Sequence, residues 1–215
     1  MTQAEAAARL GLSQPYLSQL ERGRRRVTSR VARAAARLYE LPATALPVPG
    51  EPPGRGTGTE RLARQLAGLG YPGYGYLRPS SRVNPAVVVL EALSEDDLDA
   101  RVTEALPWVL ARYPDLDWDW LVSHVKLRNL QNRLGFLVAV AREFAEAHPD
   151  WSASAAPLRE FERDLDRARL AGETTLGREA MPQAEKEWLR ANRPLLAQRW
   201  NVLTSLSSQR LTYAA

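Results

Sequence analysis

The stretch "TQAEAAARLGLSQPYLSQLERG", residues 2–23, decides how the first part of this chain folds. Thr2 can cap a helix, and Glu5 three positions later completes a reciprocal capping box. Ala6, Ala7 and Leu10 then form a narrow apolar stripe whose small residues let a second helix cross closely. Gly11 supplies the left-handed residue that ends a helix, and Leu12 anchors the turn after it. Ser13 stands at the next N-cap, with Pro15 tolerated in the first turn. Leu17 and Leu20 point back at the first helix, and Gly23 ends the second. The spacing predicts two short helices joined by a tight turn, with the polar side chains of Ser13 to Gln19 left facing outward.

Charge supports a contact made by that outer face. Residues 1–46 carry eight arginines (9, 22, 24, 25, 26, 30, 33 and 37) against Glu5, Glu21 and Glu40. The whole chain is only +4, so the remainder is close to neutral. A basic segment joined to a near-neutral body points to a polyanion bound by that segment.

Residue by residue, the stretch resembles the helix-turn-helix of the phage-repressor and Cro-like (XRE-type) family of bacterial regulators. Thr2, Gln3, Glu5, Ala7, Leu10, Gly11, Leu12, Ser13, Leu17, Ser18, Leu20, Glu21 and Gly23 fit the family pattern without a gap. "TSRVARAAARLYELPATAL" is similar to the family's next helix and a short final one, so the resemblance covers residues 2–46. It implies a cytoplasmic, sequence-specific DNA-binding regulator that works as a homodimer on double-stranded DNA. It also implies roles. Ser13, Gln14, Tyr16 and Gln19 would meet base edges in the major groove, a Gln being able to pair with adenine in two places. Gln3, Arg22, Arg24 and Arg26 would hold phosphates and fix the register. Pro15 stands where the family often carries a polar reader. The family's first helix precedes the position of Thr2, and here only Met1 does. That helix covers the stripe of Ala7, Leu17 and Val31 and usually supplies an Arg for Glu21. A start upstream of Met1 is the favoured replacement, against a C-terminal segment or another chain.

"PVPGEPPGRGTG", residues 47–58, reads as a Pro/Gly linker. Residues 59–215 read as a larger all-α domain for dimerisation, sensing or partner binding. Within it, "PAVVVLEAL" is expected as a short buried helix after the Asn84 cap, with a strand as the alternative. "SEDDLDARVTEALPWVLARYP" predicts a helix capped at Ser94, with three acids in its first turn and a kink or split at Pro107. "DLDWDWLVSHVKLRNLQNRLGFLVAVAREFAEAHP" predicts a long helix broken near Gly135, and the polar residues of "KLRNLQNRLG" read as a solvated face. Asp115 or Asp117 caps that helix rather than opening a calcium loop, because Trp120 and Lys126 occupy the loop's Gly and Glu positions. Two or three amphipathic helices follow, the last begun by Pro194, and no sheet is expected.

Trp108, Trp118 and Trp120 are either core aromatics or a partner-binding groove. The chain has no cysteine and two histidines, so neither a disulfide nor a thiolate metal site is possible, and no metal, cofactor or catalytic constellation is expected. No run approaches the roughly 20 apolar residues of a membrane span. Two other functions remain beside the regulator. One is an antitoxin-like interaction protein that binds DNA through its head and neutralises a partner protein through its body. The other, weaker, is an enzyme with a regulatory head.

Overall fold

The computed structural model describes residues 1–51, 54, 56, 58–80 and 82–211. Pro52, Pro53, Arg55 and Thr57 of the expected linker, and Ser81 and 212–215 of the expected body, lie outside these residues. The chain divides into two units, Met1–Pro47 and Val48–Ala215. Both are helical.

The first unit is built by local capping. Helix α1 (Gln3–Leu10) starts with the reciprocal Thr2–Glu5 capping box and stops at Gly11, which takes φ 67°. The Gly11 and Leu12 amides donate to the carbonyls of Ala8 and Ala7 at 3.1 and 2.9 Å, closing a Schellman turn. Helix α2 (Gln14–Glu21) ends the same way: Gly23 (φ 67°) and Arg24 donate to Leu20 and Gln19 at 3.0 and 2.9 Å. Helix α3 (Ser29–Leu38) is capped by the Thr28 hydroxyl. The core is small: Ala6, Ala7 and Leu17, with Leu10 and Leu12 against them. Val31 and Ala36 of α3 are buried as well. Two alanines at the crossing leave room for α1 and α2 to close on each other with few side-chain atoms.

The second unit is organised around α8 (Gln131–Ala147), whose residues from Gln131 to Ala141 are all buried. It packs chiefly on α9 (Ser152–Asp166) and α6 (Ala100–Arg112). The remaining helices are α4 (Thr59–Leu69), α5 (Pro85–Leu93), α7 (Trp118–Leu127), α10 (Gln183–Asn192) and α11 (Leu195–Arg199). All nine residues of α5 are buried, so the Val-rich run is a helix with no solvent face rather than a strand. The one charge on it, Glu91, accepts from Gln65 Nε2 at 2.9 Å and pairs with Arg61 at 3.4 Å. Tyr71, Tyr74, Trp108 and Tyr113 make an edge-to-face aromatic cluster, and burial pushes the Tyr74 phenol up to about 12.

Four expectations for this unit need correction. Helix α6 does not start at Ser94 but at Ala100, capped by Asp99 Oδ1 on the Arg101 amide at 2.8 Å. The intervening backbone is taken by tertiary pairing: Leu98 N donates to Gly177 O, and Glu179 N donates to Asp96 O, at 2.6 and 3.0 Å. Pro107 does not split α6, which runs on to Arg112. The long helix breaks at Asn129 (φ 57°), between α7 and α8, and not at Gly135. Gly135 lies inside α8 because the fully buried Trp200 ring sits where a Cβ would be. Finally, the polar residues of "KLRNLQNRLG" are only in part a solvated face: Lys126 and Asn129 are exposed, whereas Gln131, Asn132 and Arg133 are buried. Asn132 Nδ2 donates to the carbonyls of Leu170 and Gly172, and its Oδ1 accepts from Leu170 N. Arg133 donates to Leu93 O at 2.9 Å and to Thr174 Oγ1, and pairs with Glu179. These bonds anchor the segment holding β1 (Thr174–Thr175), which pairs in parallel with β2 (Val202–Leu203). Asp117, as expected, caps α7 by accepting from Trp120 N at 3.0 Å.

Candidate nucleic-acid interface

The outer face of α2 is presented by its two caps. Ser13, Gln14 and Pro15 are exposed, and Tyr16, Ser18 and Gln19 are half-buried, while Leu17 and Leu20 are turned inward. Ser13 has the extended N-cap backbone, yet its hydroxyl makes no capping bond. Every residue from Glu21 to Arg30 is exposed. The polar side chains of the helix and the arginines after it therefore share one open stretch.

Hydrogen bonds fix the direction in which all three glutamine amides point. Gln3 Nε2 donates to Glu21 Oε2 at 2.6 Å. A carboxylate can only accept, so the Gln3 oxygen is the end turned the other way, and it accepts from Gln14 Nε2 at 3.4 Å. The chain Gln14–Gln3–Glu21 ties the start of α1 to both ends of α2. Gln3 thus serves Glu21 in the place where the resemblance implied an arginine. Among the described residues, Gln14 keeps its oxygen and one N–H free. Gln19 is held differently: Arg25 Nε donates to Gln19 Oε1 at 2.8 Å, and the Arg25 guanidinium lies 5.5 Å from the centre of the Tyr16 ring. The sequence reading did not single out Arg25. Its contact depends on the reversal at Gly23, which carries the chain back over α2, and only the left-handed glycine hints at it.

Electrostatically the unit is open. Among the described residues, the side chains of Arg9, Arg22, Arg24, Arg26, Arg30, Arg33 and Arg37 make no ion pair or hydrogen bond. Glu5 is occupied by the Thr2 amide at 2.8 Å and Glu21 by Gln3, neither of which is charged. The positive charge is therefore not neutralised within the unit, and it clusters after α2 and along α3. Arg30, Arg33 and Arg37 recur at helical spacing and are all exposed.

The three tryptophans singled out by sequence do not form one surface. Trp108 is buried against Tyr71, with ring centres 5.4 Å apart. Trp118 is buried and stacked on Phe161 at 3.9 Å. Trp120 is half-buried, its Nε1 donating to Pro49 O at 2.9 Å. The exposed tryptophan is instead Trp188, on the rim of a cleft of about 210 Å³ whose floor includes Met181, Leu189 and Leu203. Among the described residues, no group of three or more His, Cys, Asp or Glu side chains is placed to hold a metal ion. No helix among them is long and apolar enough to cross a membrane.

No curated protein and no solved structure matches the chain. Residues 1–47 match the family model of a helix-turn-helix domain, whose span coincides with the first structural unit and leaves the helical body unassigned. The first unit of this protein is a helix-turn-helix domain.

Proposed function

We propose that the protein is a sequence-specific DNA-binding transcriptional regulator, acting by binding rather than catalysis. The observation that carries the reading is the pairing of an open polar helix face with arginines that no carboxylate neutralises. Ser13, Gln14, Tyr16 and Gln19 meet base edges, and Gln3, Arg22, Arg24 and Arg26 meet phosphates. One such head covers too little duplex to be selective, so two copies bind half-sites about 34 Å apart. The test is a fluorescence-anisotropy titration of the full chain on duplex DNA at several salt concentrations. The logarithm of affinity falls against the logarithm of salt with a slope of about −0.9 per phosphate neutralised. A slope near zero removes the reading.

A second reading is favoured by Trp188, which is 57% exposed above its cleft. There the body holds a partner protein, as an antitoxin-like chain does. A complex of fixed stoichiometry with the product of an adjacent gene, lost on Trp188→Asp, supports it. A chain that purifies only with itself removes it.

A further inference from the structure

We propose that Arg25 determines which base Gln19 reads, turning it from an adenine reader into a guanine reader. The inference rests on the DNA-binding reading above and names a specificity that the motif alone does not give. An unattended glutamine pairs with adenine by two bonds, its oxygen accepting from the adenine amino group and its nitrogen donating to N7. In this structure the Gln19 oxygen accepts from Arg25 Nε at 2.8 Å, which occupies one of its two lone pairs and turns the carbonyl toward the guanidinium. A guanidinium has no acceptor, so it can face only the amide oxygen, and the amide nitrogen is the free end of Gln19. The remaining N–H groups of Arg25 are donors too. Together the two side chains present several donors against one remaining lone pair, which lies beside a guanidinium that competes for it.

Two features hold Arg25 in this role. Gly23, at φ 67°, reverses the backbone after α2, and the Arg24 amide locks the reversal on Gln19 O at 2.9 Å. Tyr16 and Gln19 lie three residues apart on one side of the helix, and the guanidinium rests over the Tyr16 ring at 5.5 Å while bonding Gln19. The clasp is therefore anchored at two points. Against a donor-rich pair, the guanine edge offers two acceptors, N7 and O6, whereas adenine turns its own amino donor toward them. Gln14, on the same helix, keeps its amide oxygen free and retains the adenine code. Two glutamines on one recognition helix thus read opposite bases because their neighbours differ.

The test selects binding sites for the full chain from a randomised duplex pool, with the wild type, Gln19→Ala and Arg25→Ala in parallel. The position whose preference collapses in Gln19→Ala is the one Gln19 reads. There the wild type favours guanine over adenine by about tenfold or more, and Arg25→Ala reverses the preference toward adenine. The guanine-to-adenine ratio is taken within each protein, so the uniform loss of affinity from removing one positive charge cancels. An adenine preference in the wild type, or an unchanged ratio in Arg25→Ala, overturns the proposal. If the wild type enriches no sequence, the regulator reading itself falls, a result distinct from either of these.

Discussion

Arginine does two different jobs in the two units of this protein. In the first unit seven arginines reach solvent with no partner among the described residues. In the second, Arg133, Arg142, Arg178, Arg190, Arg193 and Arg199 each face at least one carboxylate. The side chain is the same, so the difference lies in where the acids are. Of the head's three glutamates, Glu5 is held by the capping box and Glu21 by a glutamine, and Glu40 pairs with no arginine among the described residues, so the head's arginines stay open to an outside polyanion. Several of the body's acids, Glu162 and Glu179 among them, face arginines distant in sequence and bind them into the fold. Arg142, for example, is held between Glu162 on α9 and Glu146 on its own helix, at 2.5 and 2.7 Å.

Removing head arginines tests the comparison most severely. The triple substitution Arg22→Ala, Arg24→Ala, Arg26→Ala takes away three of the proposed phosphate contacts and no side-chain bond among the described residues. DNA affinity near physiological salt falls on the order of 100-fold, and the salt slope becomes shallower by about 3. The thermal midpoint stays where it was. Anisotropy and calorimetry on one preparation check both halves. A stability loss without an affinity loss would put these arginines in the same class as those of the body.

Arg133 is the opposite case. Its side chain is 7% exposed and joins Leu93 O on α5, Thr174 on β1 and Glu179 in one network. Arg133→Met keeps much of the volume but leaves the Leu93 carbonyl without this donor. Because Glu179 is half-exposed it can turn to water, so the loss stays below that of a fully buried pair. The expected cost is about 3 kcal/mol, or roughly 6–12 °C in the midpoint for a unit of this size. Urea unfolding measures it. DNA affinity at a temperature where the body is folded is unchanged, and a parallel loss of affinity would break the division of labour.

What could be read from the sequence follows the same division. The head was legible almost throughout because its determinants are local: Thr2 with Glu5, Gly11, Pro15, Gly23 and a stripe of small residues fix α1 and α2 within a few positions of themselves. The body was legible as helices but not in its breaks. Ser94 looks like an N-cap until residues 177–179 claim the backbone of 96–98. Gly135 looks like a helix breaker until Trp200 is placed on it, and Asn129, which does break the helix, is unremarkable in sequence. Asn132 and Arg133 look solvated because acceptors that satisfy them on burial lie on residues 170–179. Polarity along a helix reports exposure only when no distant backbone satisfies it. The Arg25–Gln19 clasp was hidden for a milder version of the same reason: it crosses a chain reversal, and no helical or strand period predicts a contact across one.

The smallest effect comes from the body's surface, where the comparison is sharpened. Arg167 pairs with Asp164 at 3.0 Å, but both side chains are largely exposed, at 79% and 66%. Water screens the attraction, and two flexible side chains lose rotamer freedom to make it. Arg167→Ala, Asp164→Ala and the double variant form a cycle whose coupling energy is expected to be under about 0.5 kcal/mol. A carboxylate partner is therefore not sufficient to make an arginine structural; the pair must also be shielded from solvent, as Arg133 is and Arg167 is not. If the measured coupling exceeds about 1 kcal/mol, shielding is not the deciding variable, and the head's arginines would owe their availability to the lack of nearby acids alone.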